Sequence, residues 1–162
     1  MKKIWQIMIE CAVIGNTIHL LMALLLNHSY NNHGFVMWTA FLFTLIGWLL
    51  AGFRFGIKVD NKNESKLFLL GGVSLFPIIS YVITCQVLQV LYGLSDVQNY
   101  NLFYFLGMPT LFWNKALTPI MELFNKSDIY IQLDINIVFI YFVIFSGSYL
   151  GINLKKYLRN KS

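Results

Sequence analysis

Four long apolar runs, at about 4–27, 35–55, 67–92 and 135–154, constrain this chain more than any other feature. Each has the roughly 20 residues that a helix needs to cross a hydrocarbon core about 30 Å thick. A backbone in lipid has no water to bond to, so such runs satisfy themselves as helices. The charge content agrees: 12% of residues are charged, against about 25% in a soluble domain. The expected fold is therefore an all-α integral membrane protein with four transmembrane helices. It forms one polytopic domain over residues 1–162, with no fixed-period repeat and no interdomain linker.

Met1-Lys2-Lys3 ahead of an apolar run is also the layout of a secretory signal. Here the run is too long, Glu10 interrupts it, and no Ala-x-Ala-like site precedes Asn27. Ile9-Glu10 before Cys11 does not form a lipobox either. The first run is expected to stay as a spanning helix.

Direction follows from the basic residues. Lys2, Lys3, Arg54, Lys58, Lys62, Lys66, Lys155, Lys156, Arg159 and Lys161 fall at one set of run ends, and only Lys115 and Lys126 at the other. This asymmetry predicts that both termini are cytoplasmic and that the long connection 93–133 faces outward from the cytoplasmic membrane. Trp5, Trp38, Tyr30, Tyr92 and Tyr157 lie near run ends, where interfacial aromatics belong. The net charge of +5 thus reads as a topology signal, with the lipid bilayer rather than nucleic acid as partner. The Asn-, Lys-, Ile- and Phe-rich composition points to an AT-rich bacterial genome.

Within the runs, Glu10 is the one acidic residue, and an ionisable group at that depth is a candidate site. Gln6, Glu10, Val13 and Thr17 step by three and four residues and share a helical face. That face suits contact with other helices better than with lipid. Glu10 either carries a proton or cation or is neutralised from the inner rim by Arg54 or Lys3; neutralisation is the expectation. His19 lies nine residues on, half a turn out of phase, with Met8, Ala12, Asn16 and Ala23 on its face. The two residues are therefore not a relay, and a centrally packed first helix accounts for polar groups on both sides.

The third run contains Pro77, which is expected to kink it. Ser80, Thr84 and the carbonyls freed there either line a cavity or cap one another, and capping is the commoner outcome. Gly147-x-x-x-Gly151 in the last run is a helix-packing spacing, with Gly47-x-x-x-Ala51 and Gly52-x-x-x-Gly56 as looser analogues in the second. Packing within the chain is expected, with a homodimer seam as the sharper alternative.

The segment at about 101–124 is too apolar for a free loop, and Pro109 and Pro119 divide it. It is either interfacial or re-entrant, and the expectation is that it lies flat on the outer side. Thr118-Pro119 marks a helix start, with Thr118 as N-cap. Asp96, Glu122, Asp128 and Asp134 make that side mildly acidic.

Residue types set aside several functions. Cys11 and Cys85 have no CxxC partner, and His28 and His33 at the first turn have no third ligand, so no metal and no cofactor is expected. Only one carboxylate lies in the runs, no base accompanies a nucleophile, and no glycine-rich phosphate loop occurs. Catalysis is not expected. Two readings remain. One is a non-catalytic membrane protein acting through a partner in the membrane, as accessory subunit, regulator or immunity-type protein. The other is a small-solute or ion transporter or channel working as a homo-oligomer.

Overall fold

A computed structural model describes residues 2–28, 33–59, 66–92, 108–124 and 129–161. Helix α1 covers Lys2–His28, α2 His33–Lys58 and α3 Leu67–Tyr92. A short helix α4 spans 108–114, followed by a 3-10 turn at Lys115–Leu117 and by α5 at Thr118–Leu123. Helix α6 runs over Ile129–Lys161. Lys62, Asp96, Lys126, Asp128, Tyr30 and residues 101–107 of the outer segment lie outside the described residues.

Four of these helices are long and apolar enough to cross a membrane: Lys3–His28, Gly34–Lys58, Leu67–Leu88 and Tyr130–Lys161. The last helix begins about two turns before the apolar run at 135. Outward faces carry bare apolar groups such as Leu21, Phe43, Phe76 and Phe142, as surfaces solvated by lipid do.

Around the bundle the helices stand in the order α1, α2, α6, α3, with α1 opposite α6 and α2 opposite α3. Antiparallel pairing of α1 with α2 follows from Trp48 over Gly15 and Gly47 over Ile18. Helices α3 and α6 are antiparallel too: Phe68 stacks on Phe145, Gly71 seats the Tyr141 ring, and the Tyr141 hydroxyl donates to Phe68 O at 3.0 Å. The remaining two neighbours, α2 with α6 and α1 with α3, are parallel.

Glycine explains the closer parallel pair. Gly52 and Gly56 of α2 face Ile144 and Ser148 of α6, while Gly147 and Gly151 of α6 face Leu49 and Phe53 of α2. A Cβ built at any of the four would run into the backbone of the other helix. The two GxxxG spacings thus meet within one chain, backbone against backbone. At the end that holds both termini Lys155 Nζ donates to Val59 O at 2.6 Å, capping the end of α2. Lys3, Arg54, Lys58, Lys66, Lys155, Lys156, Arg159 and Lys161 all gather at this end of the bundle.

The segment 108–120 corrects the flat expectation. It turns down into the opposite end of the bundle, where Trp113, Asn114, Ala116, Leu117 and Ile120 are buried. Its physical reason is amide and ring pairing with α1 and α6, described below. Helix α5 starts as the Thr-Pro pair indicates, but one residue differently: Leu117 is the N-cap, and Thr118 Oγ1 donates back to Lys115 O at 2.6 Å.

Candidate functional site

His19 holds the centre of a buried cluster. Gly15, one turn before it on α1, leaves room for the Trp48 indole of α2. Trp48 Nε1–H donates to His19 Nδ1 at 3.0 Å. The other ring nitrogen, Nε2, meets Trp113 O at 2.6 Å and must donate, since a carbonyl only accepts. These partners assign the neutral Nε2–H tautomer. The Trp113 ring also stacks on His19, with centroids 4.0 Å apart and planes 14° from parallel. Asn136 of α6 then donates to Asn114 Oδ1 at 2.6 Å, and Asn114 Nδ2 donates to Thr110 O at 2.9 Å. One histidine and two asparagines thereby fasten 110–114 between α1, α2 and α6. Lys115 adds a contact to Asn27 near the C-terminal end of α1.

Beside this cluster, between α1, α3 and α4, lies a cavity of about 690 Å³. Ile9, Ala12, Val13, Asn16, Thr17 and Leu20 line it from α1, and Val73, Ser74, Pro77, Ile78 and Tyr81 from α3. Pro109, Phe112 and Trp113 close one side. The cavity exists because α1 and α3 touch sparingly. A polar link joins them among the described residues: Asn16 Nδ2 donates to Ser74 O at 2.9 Å as well as to Ala12 O at 3.1 Å. Pro77 has no N–H, so the carbonyl it leaves without a helical donor is that of Val73, four residues back; the Asn16 bond falls on the next carbonyl, Ser74 O.

Pro77 therefore does line a cavity, but Ser80 and Thr84 do not. Ser80 Oγ donates to Phe76 O and Thr84 Oγ1 to Ser80 O, both at 2.8 Å, so each hydroxyl serves its own helix. The polar groups at the cavity are Ser74, Asn16, Thr17 and Tyr81 instead.

Glu10 sits between two cations of α2. It accepts from Arg54, and Lys58 Nζ reaches its other oxygen at 3.1 Å. Arg54 is thus the rim cation expected of it, and Lys58 rather than Lys3 is the second. The face shared by Gln6, Glu10, Val13 and Thr17 is not a packed one. Gln6, Val13 and Thr17 are exposed, and the buried face is that of Met8, Ala12, His19 and Ala23. Two and a half turns of α1 separate Glu10 from His19, and the cation pair and the histidine cluster share no residue.

Sequence reasoning missed Trp48, Trp113, Asn114 and Asn136. The available signal was the isolated amide in an apolar stretch, which in lipid has to find a partner. Among the described residues no group of three histidine, cysteine or acidic side chains converges as a metal site. Cys11 and Cys85 are buried on different helices and form no disulfide. Comparison of the chain with protein-family models, curated proteins and solved structures finds no match.

Proposed function

We propose that this chain is a non-catalytic protein of the cytoplasmic membrane, both termini cytoplasmic, that acts by binding a membrane-embedded partner. An accessory subunit, a regulator or an immunity-type protein would work in this way. The observation that carries the reading is the unequal treatment of the two parallel helix pairs. The α2/α6 seam is sealed backbone to backbone, whereas α1 and α3 stand apart around a cavity whose α1 rim, Val13 and Thr17, is exposed. The cytoplasmic placement of the termini rests on the basic residues gathered at their end of the bundle.

Transport receives less support. Glu10 is held by Arg54 and Lys58, and both nitrogens of His19 are engaged. Small-residue seams that a homo-oligomer would need are used inside the chain.

The test is gentle purification of tagged protein from its native membrane, followed by mass spectrometry of what accompanies it. A stoichiometric companion that is lost from the Val13→Phe/Thr17→Phe variant supports the reading. A bare homo-oligomer whose ion flux in liposomes disappears in Glu10→Gln overturns it in favour of transport.

A further inference from the structure

The outward side of α1 carries a packing seam that the described part of the chain leaves uncovered. Gln6, Glu10, Val13, Thr17, Leu20 and Leu24 follow one another in alternating steps of four and three. That is the 3.5-residue repeat of helices packed at a crossing angle of about 20°. None of the six is buried. The bundle packs instead on the other side of α1, through Met8, Ala12, His19 and Ala23. Val13, Thr17 and Leu20 also line the opening between α1 and α3, so a helix lying in the seam covers the cavity as well.

The polar members of the seam say what kind of occupant it suits. Thr39, Ser80 and Thr84 each return their hydroxyl to a carbonyl of their own helix. Thr17 does not, and neither Thr17 nor Gln6 has a hydrogen-bond partner among the described residues. Thr17 lies near the middle of the span Lys3–His28, where acyl chains offer nothing to bond. Closer to the end that holds the termini, Arg54 and Lys58 both turn to Glu10, and all three side chains are substantially exposed. Two cations thus share one carboxylate, which leaves a positive charge in excess on an outward face, an expensive arrangement in lipid.

Three occupants can be compared on these terms. A phospholipid can bring a phosphate to the cations, but its chains cannot bond Thr17, seven residues or about 10 Å from Glu10. A second copy inserted in the same direction brings its own Arg54 and Lys58 to the same level, with its Glu10 already engaged. A foreign helix can meet both ends of the seam. Resting on the reading that this chain binds a membrane-embedded partner, we infer that the seam takes a spanning helix of a different protein. That helix presents an aspartate or glutamate to Arg54 and Lys58, and a side-chain amide or hydroxyl seven residues away to Thr17.

The test is photo-cross-linking of the full chain in its native membrane, with benzoylphenylalanine in place of Val13, between the two contacts, and in place of Phe142 on the exposed face of α6 as control. Position 13 should give one protein adduct, mapped to a spanning segment with an acidic residue about one turn from the cross-link, and position 142 should give lipid alone. Adding Lys58→Gln should lower the adduct yield about 10-fold, the loss of a charged hydrogen bond. Thr17→Val should lower it about 3-fold. Both substitutions lie at exposed positions and should leave the melting point unchanged. An adduct with lipid alone at position 13, or with a second copy, overturns the inference. A foreign helix that lacks the acidic residue, or a yield indifferent to Lys58→Gln, sinks the charge pairing while the binding reading stands. Lipid adducts alone, together with a purification that yields no companion, sink both.

Discussion

Two parallel helix pairs sit on opposite sides of this bundle and are built in opposite ways. Between α2 and α6, glycines at 52, 56, 147 and 151 put no side chain in the way at four places, and there the backbones touch. Between α1 and α3, among the described residues, Asn16 makes a polar link to Ser74 O, and space remains beside it. In lipid there is no hydrophobic drive to bring helices together, so contact depends on packing and hydrogen bonds. A seam with continuous backbone contact is rigid. One fastened at a single amide can part or admit a ligand at modest cost.

The strongest way to break this contrast is Gly147→Leu. Its new side chain would meet the backbone at Leu49 and Phe53, and overpacking typically costs about 1–3 kcal/mol and occasionally more. We expect the upper end, read as a large drop in the unfolding midpoint in detergent; an unchanged midpoint would show that the seam yields.

His19→Leu should come next. It leaves Trp48 Nε1–H and Trp113 O without partners, at about 1–3 kcal/mol for each stranded group. Hydrogen exchange at Trp113, Asn114 and Lys115 should accelerate while that at Gly147–Gly151 stays slow. Uniform acceleration would mean that the cluster supports the whole bundle rather than the segment it fastens.

Asn16→Leu should act less, at about 0.6 and at most about 1.7 kcal/mol, the range for hydrogen bonds between membrane helices. A fluorescence-transfer pair placed on the α1 and α3 termini should report wider spacing, with α2 and α6 unmoved. The smallest effect is expected for Glu10→Gln. With Glu10 and Arg54 both substantially exposed, the midpoint should stay within error, and a marked fall would show that the rim ion pairs hold α1 to α2.

Much of the architecture was legible because runs this long and apolar have few alternatives to helix. Long uncharged runs gave four helices, the distribution of Lys and Arg grouped the ends correctly, and Arg54 was in reach of Glu10. What could not be read was adjacency. A GxxxG states that a face tolerates close approach but not which helix approaches, so nothing in Gly52 or Gly147 alone selects the other. The outer segment misled for a related reason. Its apolar residues fit an interface as well as a bundle interior, and the deciding contacts, His19 to Trp113 and Asn136 to Asn114, join residues 94 and 22 positions apart. Proline at 77 suggested a kink, yet α3 runs unbroken from Leu67 to Tyr92, and the bond from Asn16 to Ser74 O beside it joins two helices that nothing in either stretch alone pairs.

The α2/α6 seam has a consequence in time. Gly52 and Gly56 leave the ribosome early, and the surface that covers them begins near Ile144, about 90 residues later. At about 5–20 residues per second, α2 spends roughly 5–20 s with its glycine face not yet covered by α6. During that interval its only long-helix neighbour from earlier in the chain is α1. The bundle is therefore completed by its final helix, and a chain cut short before α6 would present a bare backbone groove to any passing helix with small residues of its own.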